Sequence, residues 1–301
     1  MNWKHGLVTG LAILVSAVGL AGCSDQGKQI AQDQQRTQQQ QPQQNNQQST
    51  NQQTGPQTNG WGQSPYPNDA LAKSVLTAPV KAQLGSQSVT YNGLGAFTIN
   101  GGKPLNANVN SAPYVQLPKR NPAHGNRLEG TARAWLNHSS RQYQSRQQTG
   151  NGRGSFKPVG FVQRMGLDAK KTGYNHLYDR GHLIAYAIAG RVRHFDPSES
   201  NANNIVTQTA WANEAGTSDV GTGQNYYEGI VRRALDENRQ VMYAVTPIYA
   251  NDTDLVPVGM HLQAATKQQE LFNVFVPNVQ VGVTINYANG QSQLVSMANN
   301  G

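Results

Sequence analysis

Between Ser24 and Gly60 the chain carries 16 Gln and 4 Asn, no aromatic residue, and only Ile30 and Ala31 as clearly apolar side chains. Such a stretch cannot remove enough apolar surface from water to offset the entropy of ordering its backbone, so it is expected to be disordered. Any folded body is thereby confined to the roughly 240 residues from Trp61 to Gly301, enough for one sizeable core. No internal repeat is visible, and the composition excludes collagen-like, coiled-coil and multipass membrane architectures.

The segment ahead of that stretch reads as an address. Met1–Gly22 has Lys4 in a short leading region and a mostly apolar run from Leu7 to Leu20, short for a spanning helix and typical of an export signal. It ends Leu20-Ala21-Gly22-Cys23, which resembles a lipobox, and Cys23 is the only cysteine of the chain. Lipidation of Cys23 would anchor the mature protein on the extracellular face of the cell membrane without a membrane span; an ordinary cleavable signal that happens to contain a cysteine is the alternative. The expected layout is a lipoprotein signal at 1–22, the lipidated cysteine and Gln/Asn-rich linker at 23–60, and one domain at 61–301. As a flexible coil the linker would span about 35 Å root-mean-square. No second cysteine exists to form a disulfide, so the domain has to be held by its core.

Charge is unevenly spread. The whole chain carries a net +8, yet Lys119–Arg193 alone holds 14 Lys/Arg against Glu129, Asp168 and Asp179, while 194–301 holds four basic and ten acidic residues. A basic block beside an acidic one suits a polyanionic partner, although a solvated basic face or attraction to an anionic bilayer would read the same.

Hydrophobic spacing predicts a mixed architecture. Asp69–Leu84 has helical spacing broken at Pro79, and Ser88–Asn100 reads as a hairpin around Asn92-Gly93. Leu128–Asn137 reads as a short helix and Val159–Val162 as a short strand. Tyr226–Glu237 is the clearest helix, with Tyr227, Ile230, Val231, Ala234 and Leu235 on one face. Val241–Tyr249, Leu271–Val276 and Val281–Tyr287 follow as strands. Consecutive strands with few long helices point to an α+β fold with a mainly antiparallel sheet.

The chemistry begins at Tyr178-Asp179-Arg180-Gly181-His182-Leu183-Ile184, which sets an acid, a guanidinium, a glycine and an imidazole within four positions. An imidazole can take a proton near neutral pH, and Arg can hold phosphate through two hydrogen bonds. Thirty-one residues after His182 stands Asn213, whose amide oxygen suits a hard cation such as Mg²⁺. Taken alone, a four-residue match of this kind is most often a surface loop with a salt bridge.

Asp179-Arg180-Gly181-His182 resembles the signature of the DNA/RNA non-specific endonucleases of the ββα-metal fold. Further strings carry the likeness: Thr149-Gly150-Asn151-Gly152, Gln208-Thr209-Ala210-Trp211-Ala212-Asn213, Gly223-Gln224-Asn225-Tyr226-Tyr227-Glu228, Leu255-Val256-Pro257, Phe272-Asn273-Val274 and Val276-Pro277-Asn278-Val279-Gln280. Together they cover nearly all of roughly 68–288, and they are most similar to the membrane-associated DNA-entry branch of competent Gram-positive bacteria. The resemblance implies a ββα-metal motif embedded in the antiparallel sheet. His182 would be the general base that activates water, Asn213 the direct Mg²⁺ ligand (with Mn²⁺ a possible substitute), and Asn204 the residue that holds the base imidazole. Glu228 and Arg232 would form a helix-borne pair, the first near metal-bound water and the second near the scissile phosphate. Their spacing of four on the predicted helix supports a shared face. Asp179 and Arg180 would shape the turn and position phosphate.

The implied activity is Mg²⁺-dependent, sequence-non-specific hydrolysis of DNA, and of RNA too, leaving 5′-phosphate and 3′-hydroxyl ends. General-base help of this kind is worth ~10²–10⁴-fold, and loss of the neutral imidazole would lower activity below about pH 6.5. His176, six residues before His182, has no third ligand at a usual zinc spacing. His124, His138, His194 and His261 default to surface or loop roles, and Trp211 and Tyr227 to the core. The rival reading from another class is a non-catalytic surface lipoprotein that captures DNA for uptake. A hydrolase of another envelope polymer is a second, but no Ser or Cys nucleophile motif or carboxylate dyad supports it.

Overall fold

The computed structural model describes residues 64–85, 88–152, 154–216 and 220–295. Cys23, the lipobox and the Gln-rich stretch lie outside them. The helices are α1 (Asp69–Lys73), α2 (Ala78–Gln83), α3 (Ala169–Thr172), α4 (Tyr186–Ala189), α5 (Ala210–Glu214) and α6 (Gln224–Asp236). The strands are β1 (Ser88–Tyr91), β2 (Phe97–Asn100), β3 (Tyr114–Gln116), β4 (Lys119–Asn121), β5 (Arg127–Glu129), β6 (Ala132–Leu136), β7 (Tyr178–His182), β8 (Ile205–Thr209), β9 (Val241–Ile248), β10 (Gly259–Ala265), β11 (Glu270–Pro277), β12 (Val283–Ile285) and β13 (Ser292–Leu294).

Seven strands form one antiparallel sheet in the order β1-β2-β11-β10-β9-β6-β3. Successive side chains of a strand face opposite sides, and here both sides are covered. Met260, Leu262 and Ala264 of β10 and Phe272, Val274 and Val276 of β11 meet Tyr227, Val231, Ala234 and Leu235 of α6 on one face. On the other, Phe97, Ile99 and Phe275 pack against Leu71 and Val80 of α1 and α2. The α6 residues recur at helical spacing, and burying each large apolar side chain contributes about 1.5–3 kcal/mol. Past Glu237, Asn238 in the left-handed region (φ 61°) ends α6, with Asn238 and Arg239 donating back to the Leu235 and Ala234 carbonyls.

A separate antiparallel ladder, β7 with β8, leads directly into α5, giving the expected ββα unit. Two buried side chains from the segment after β11 hold its corner. Asn278 Oδ1 accepts from Thr209 N (2.7 Å) and Gln280 Oε1 from Trp211 N (3.2 Å), while Thr209 Oγ1 caps α5 by accepting from Ala212 N (3.1 Å). Trp211 is fully buried and donates its indole N–H to the Val220 carbonyl (2.6 Å); Tyr227 is buried as well.

Several expected elements differ. Leu128–Asn137 is not a helix but the end of β5 and all of β6, because β6 lies inside the sheet with Ala134 and Leu136 buried on one side and Trp135 on the other. Pro79 does not break a helix; it stands in the first turn of α2, and the interruption falls at Ser74–Thr77. Val159–Val162 is turn and coil, and the end of Val281–Tyr287 pairs only with β13 in a two-stranded ladder.

Part of the basic block serves the fold. Arg127 is buried between the carbonyls of Asn251 and Asp254 and pairs with Glu129 (2.7 Å). Arg141, also buried, pairs with Asp236 (3.0 Å) and donates to the Ala187 carbonyl (2.5 Å). Arg120 donates to the carbonyls of Ala202 and Ile205.

Candidate active site

His182 closes β7, paired with Ile205 of β8. Backbone placement here is exacting: a Cβ at Gly181 would overlap Gln208 Oε1, so the small residue before His182 allows the two strands their side-chain packing. The imidazole is half-buried, its Nε2 lying 3.2 Å from Arg146 Nη2. Burial and the adjacent Arg146 charge push it down to about 3 from 6.5, against the pull of a hydrogen bond to the Pro197 carbonyl. With that carbonyl taking the Nδ1 proton, Nε2 carries the lone pair. His182 is therefore neutral across the ordinary pH range, and the expected fall in activity near pH 6.5 does not follow from this imidazole.

Arg146 carried no signal in the sequence beyond membership of a basic block. It donates to the Pro197 carbonyl (2.7 Å) and lies over the Tyr186 ring (4.6 Å). Gln224 is the second residue that sequence reasoning missed. Its Nε2 donates to the His182 carbonyl (2.7 Å) and to Glu228 Oε1 (2.8 Å), so the first turn of α6 is tied to the end of β7.

Asn204 acts differently from expectation. It is fully buried, with Oδ1 accepting from Ile184 N (2.9 Å) and Nδ2 donating to the Ile184 carbonyl (3.0 Å), and its own carbonyl accepts from Leu183 N (2.8 Å). The amide spans the N–H and C=O of one residue, Ile184, two beyond His182. It fixes the backbone that follows His182, and its side-chain hydrogen bonds go to that backbone and not to the imidazole.

Glu228 is buried and accepts from Gln224 and from the Tyr243 hydroxyl (3.5 Å). Burial pushes its carboxyl up to about 7 from 4.5, against the lowering effects of Gln224, Arg232, Tyr243 and Arg146. Arg232, one helical turn on, donates to the Asn225 carbonyl (3.3 Å) and Oδ1 (3.1 Å). Arg180 lies over Phe161 (5.0 Å) and donates to the Phe156 carbonyl (3.1 Å).

Asp179 and Asn213 come together across the ladder: Asn213 Nδ2 donates to Asp179 Oδ2 (3.1 Å). The other Asp179 oxygen lies 2.8 Å from His176 Nε2. Ligand atoms of His176, Asp179 and Glu214 all lie within 4.8 Å of one another. Desolvation of the Glu214 carboxyl and the neighbouring Asp179 charge push it up to about 8. Two carboxylates, an imidazole and an amide that can turn its oxygen inward suit a divalent cation. His176 thus has the partners that spacing alone did not supply, because Glu214 is brought to it by the β7–β8 pairing.

The sequence model of the DNA/RNA non-specific endonuclease family matches residues 111–298. Strands β1 and β2 precede that span yet extend the same sheet through β11. NucA from Streptococcus agalactiae with no metal bound is similar at 42% identity and a TM-score of 0.59, over 69% of this chain and 90% of that one. The same protein with a magnesium ion bound gives 40% identity and 0.62, over 71% and 95%.

Proposed function

This chain belongs to the DNA/RNA non-specific endonuclease family and is a metal-dependent nuclease; on that premise we propose that it is a membrane-tethered, Mg²⁺-dependent enzyme that cleaves DNA, and RNA too, with His182 as general base. The observation that carries this reading is the ββα unit itself, with a neutral imidazole at the end of β7 and, between the start of β7 and α5, a group of His176, Asp179, Asn213 and Glu214 that could hold a cation. Magnesium bound to the Streptococcus agalactiae relative supports the choice of ion.

Arg146 Nη2 occupies the Nε2 lone pair of His182. A phosphodiester entering the site would draw that guanidinium to its own oxygens. The departure of Arg146 uncovers Nε2, and the added negative charge raises the imidazole toward the working pH. His182 Nε2 then removes a proton from water as that water's oxygen attacks phosphorus, the P–O3′ bond breaks, and the leaving 3′ oxygen takes a proton from solvent to become the 3′-hydroxyl. A bound divalent cation would stabilise the charge gathering on the phosphate oxygens and assist that departure. Arg146, Arg180 and Arg232 would hold the backbone, which carries no sequence information, so weak sequence preference and 5′-phosphate products are expected. Asn204 and Gln224 keep the base on station through the main chain.

The tether is part of the same proposal: cleavage before Cys23, lipidation there, and a domain spanning 61–301 on the outer face of the cell membrane. Among the described residues no helix is long and apolar enough to cross a membrane; in this proposal the lipid on Cys23 is the anchor. Replacing Cys23 by Ser should move the protein out of the membrane fraction.

The enzymatic test uses the full chain on covalently closed circular DNA with Mg²⁺, with excess chelator, and with His182→Ala. Nicking and linearisation that require Mg²⁺ and vanish in the variant support the reading. Retarded but uncut DNA in all three reactions would leave a tethered DNA receptor instead.

A further inference from the structure

We propose that Met165 contacts the substrate: its side chain packs against an unstacked base of a nucleotide beside the scissile phosphate, which makes single-stranded nucleic acid a better substrate than intact duplex. The inference rests on the nuclease reading above and specifies the form of nucleic acid that the same site takes.

A single exposed apolar side chain is ordinary, so its position has to carry the argument. Of the large apolar side chains exposed among the described residues, Met165 is the most so, at 65%. Its backbone is nevertheless fixed. Met165 faces His176 in an antiparallel bridge, with hydrogen bonds on either side from Leu177 N to the Arg164 carbonyl (2.9 Å) and from Gly166 N to the Asn175 carbonyl (2.8 Å). Bonds that flank the two residues in this way mark the close kind of antiparallel pair, with Cα atoms about 4.5 Å apart and both side chains on one face. His176 in turn reaches Asp179 (2.8 Å). The Met165 thioether therefore stands at the rim of the site between the start of β7 and α5. Arg164, the residue before it, points the other way to Ser292 of β13 (2.8 and 2.6 Å), as alternation along an extended segment requires. A Cβ added at Gly166 would meet nothing within 4 Å, so the chain leaving Met165 does not cover that rim.

What such a side chain recognises follows from how nucleic acid presents itself. Phosphate and sugar oxygens call for cations and hydrogen-bond donors. The exposed Lys170 of α3, in the loop that the Met165–His176 pair closes, is one such group. A thioether offers neither a charge nor a donor, but it packs on the π-face of an aromatic ring. In a duplex those faces are stacked on one another and only base edges reach the grooves. A single strand leaves them free, and a methionine can wedge into a base step that opens. The contact neutralises no phosphate, so its contribution is independent of the counterions that set salt dependence.

The experiment uses the full chain as wild type, Met165→Ala, Met165→Leu and Leu294→Ala. The last removes another exposed apolar side chain, on β13. Because Met165 is mostly in solvent, its replacement leaves the fold intact. Initial rates with Mg²⁺ are taken on a single-stranded oligonucleotide and on a closed duplex of the same sequence, each at two salt concentrations. The wild type should show the higher kcat/KM on the single strand. Met165→Ala should raise KM for the single strand about fivefold at unchanged kcat and by the same factor at both salts, with the duplex KM moving less than about twofold. Met165→Leu and Leu294→Ala should behave as the wild type. In parallel, His182→Ala, with and without Met165→Ala, is mixed with a short strand containing 2-aminopurine, whose fluorescence rises when the base leaves its neighbours. The rise should appear with His182→Ala and be lost in the double variant. An unchanged single-strand KM in Met165→Ala would overturn the proposal, as would an equal loss on both substrates, equal wild-type kcat/KM on the two, or the same fluorescence rise in both proteins. The two readings fail separately. Cleavage that ignores Met165 removes this contact and leaves the nuclease, whereas a Met165-dependent fluorescence rise in a protein that never cuts removes the activity and leaves the contact.

Discussion

Replacing Glu228 by Gln should stabilise the protein at alkaline pH while damaging its activity. In the unfolded chain this carboxyl ionises at its ordinary 4.5, but in the folded protein burial pushes it up to about 7. Below both values the group is protonated in either state and contributes nothing. As pH rises from 4.5 to 7 the unfolded chain releases its proton first, so folding stability falls. Above 7 the full difference, about 3 kcal/mol, is lost. Gln has the same shape, keeps an acceptor for Gln224 and Tyr243, and never ionises. The variant should therefore melt about 6–12 °C above the wild type at pH 8.5, at the 2–4 °C per kcal/mol usual for this size, and level with it at pH 4. Scanning calorimetry in chelator at the two pH values measures this. A wild type whose melting temperature does not fall relative to the variant between them would refute the argument that Glu228 is held in a site hostile to its charge.

Other expectations concern the base and its supports. The His182 ring proton resonance in ion-free protein should not titrate between pH 8 and 5; a midpoint near 6.5 would contradict the depressed value. Gly181→Ala should cost about 1–3 kcal/mol and lower activity, because the added methyl displaces Gln208 from its contacts with Gln224 and the Ala212 carbonyl; denaturant unfolding reads the first effect and plasmid nicking the second. Asn204→Ala strands the N–H and C=O of Ile184 in the interior and should cost about 2–4 kcal/mol, seen as a lower denaturation midpoint at unchanged slope. Arg146→Gln, which removes the charge that helps push His182 down and the contact with Tyr186, should reduce kcat at least tenfold and raise the His182 pKa, the latter read by histidine NMR.

What the sequence revealed depended on how far a residue's partners lie along the chain. Helix α6 was legible because one face is buried and one is wet, which writes a 3.6-residue period into Tyr227, Val231, Ala234 and Leu235. Strand β6 was misread for the opposite reason. With both faces covered, Ala134, Trp135 and Leu136 form a continuous apolar run that has no period to distinguish strand from helix. Strand β10 escaped notice because His261 and Gln263 interrupt it, although it lies between β9 and β11 near the middle of the sheet. His182 and Asn213 were singled out through the strings that surround them. Arg146 and Gln224 were not, since an arginine 36 positions before its imidazole and a buried glutamine opening a helix have no local signature.

The internal use of arginine bears on how strongly this enzyme should grip its substrate as salt is varied. Each phosphate neutralised by a free cationic side chain releases about 0.9 of a condensed counterion from duplex DNA, and the number released sets the slope of affinity against salt. Arg127 and Arg141 already face Glu129 and Asp236, and Arg120 faces two carbonyls. These three guanidiniums have no mobile anion to exchange for a phosphate. The salt dependence of binding should therefore be shallower than the 14 basic residues of Lys119–Arg193 suggest. An enzyme that releases few counterions on each encounter dissociates readily, which suits one that cuts, leaves and cuts again along a long polyanion.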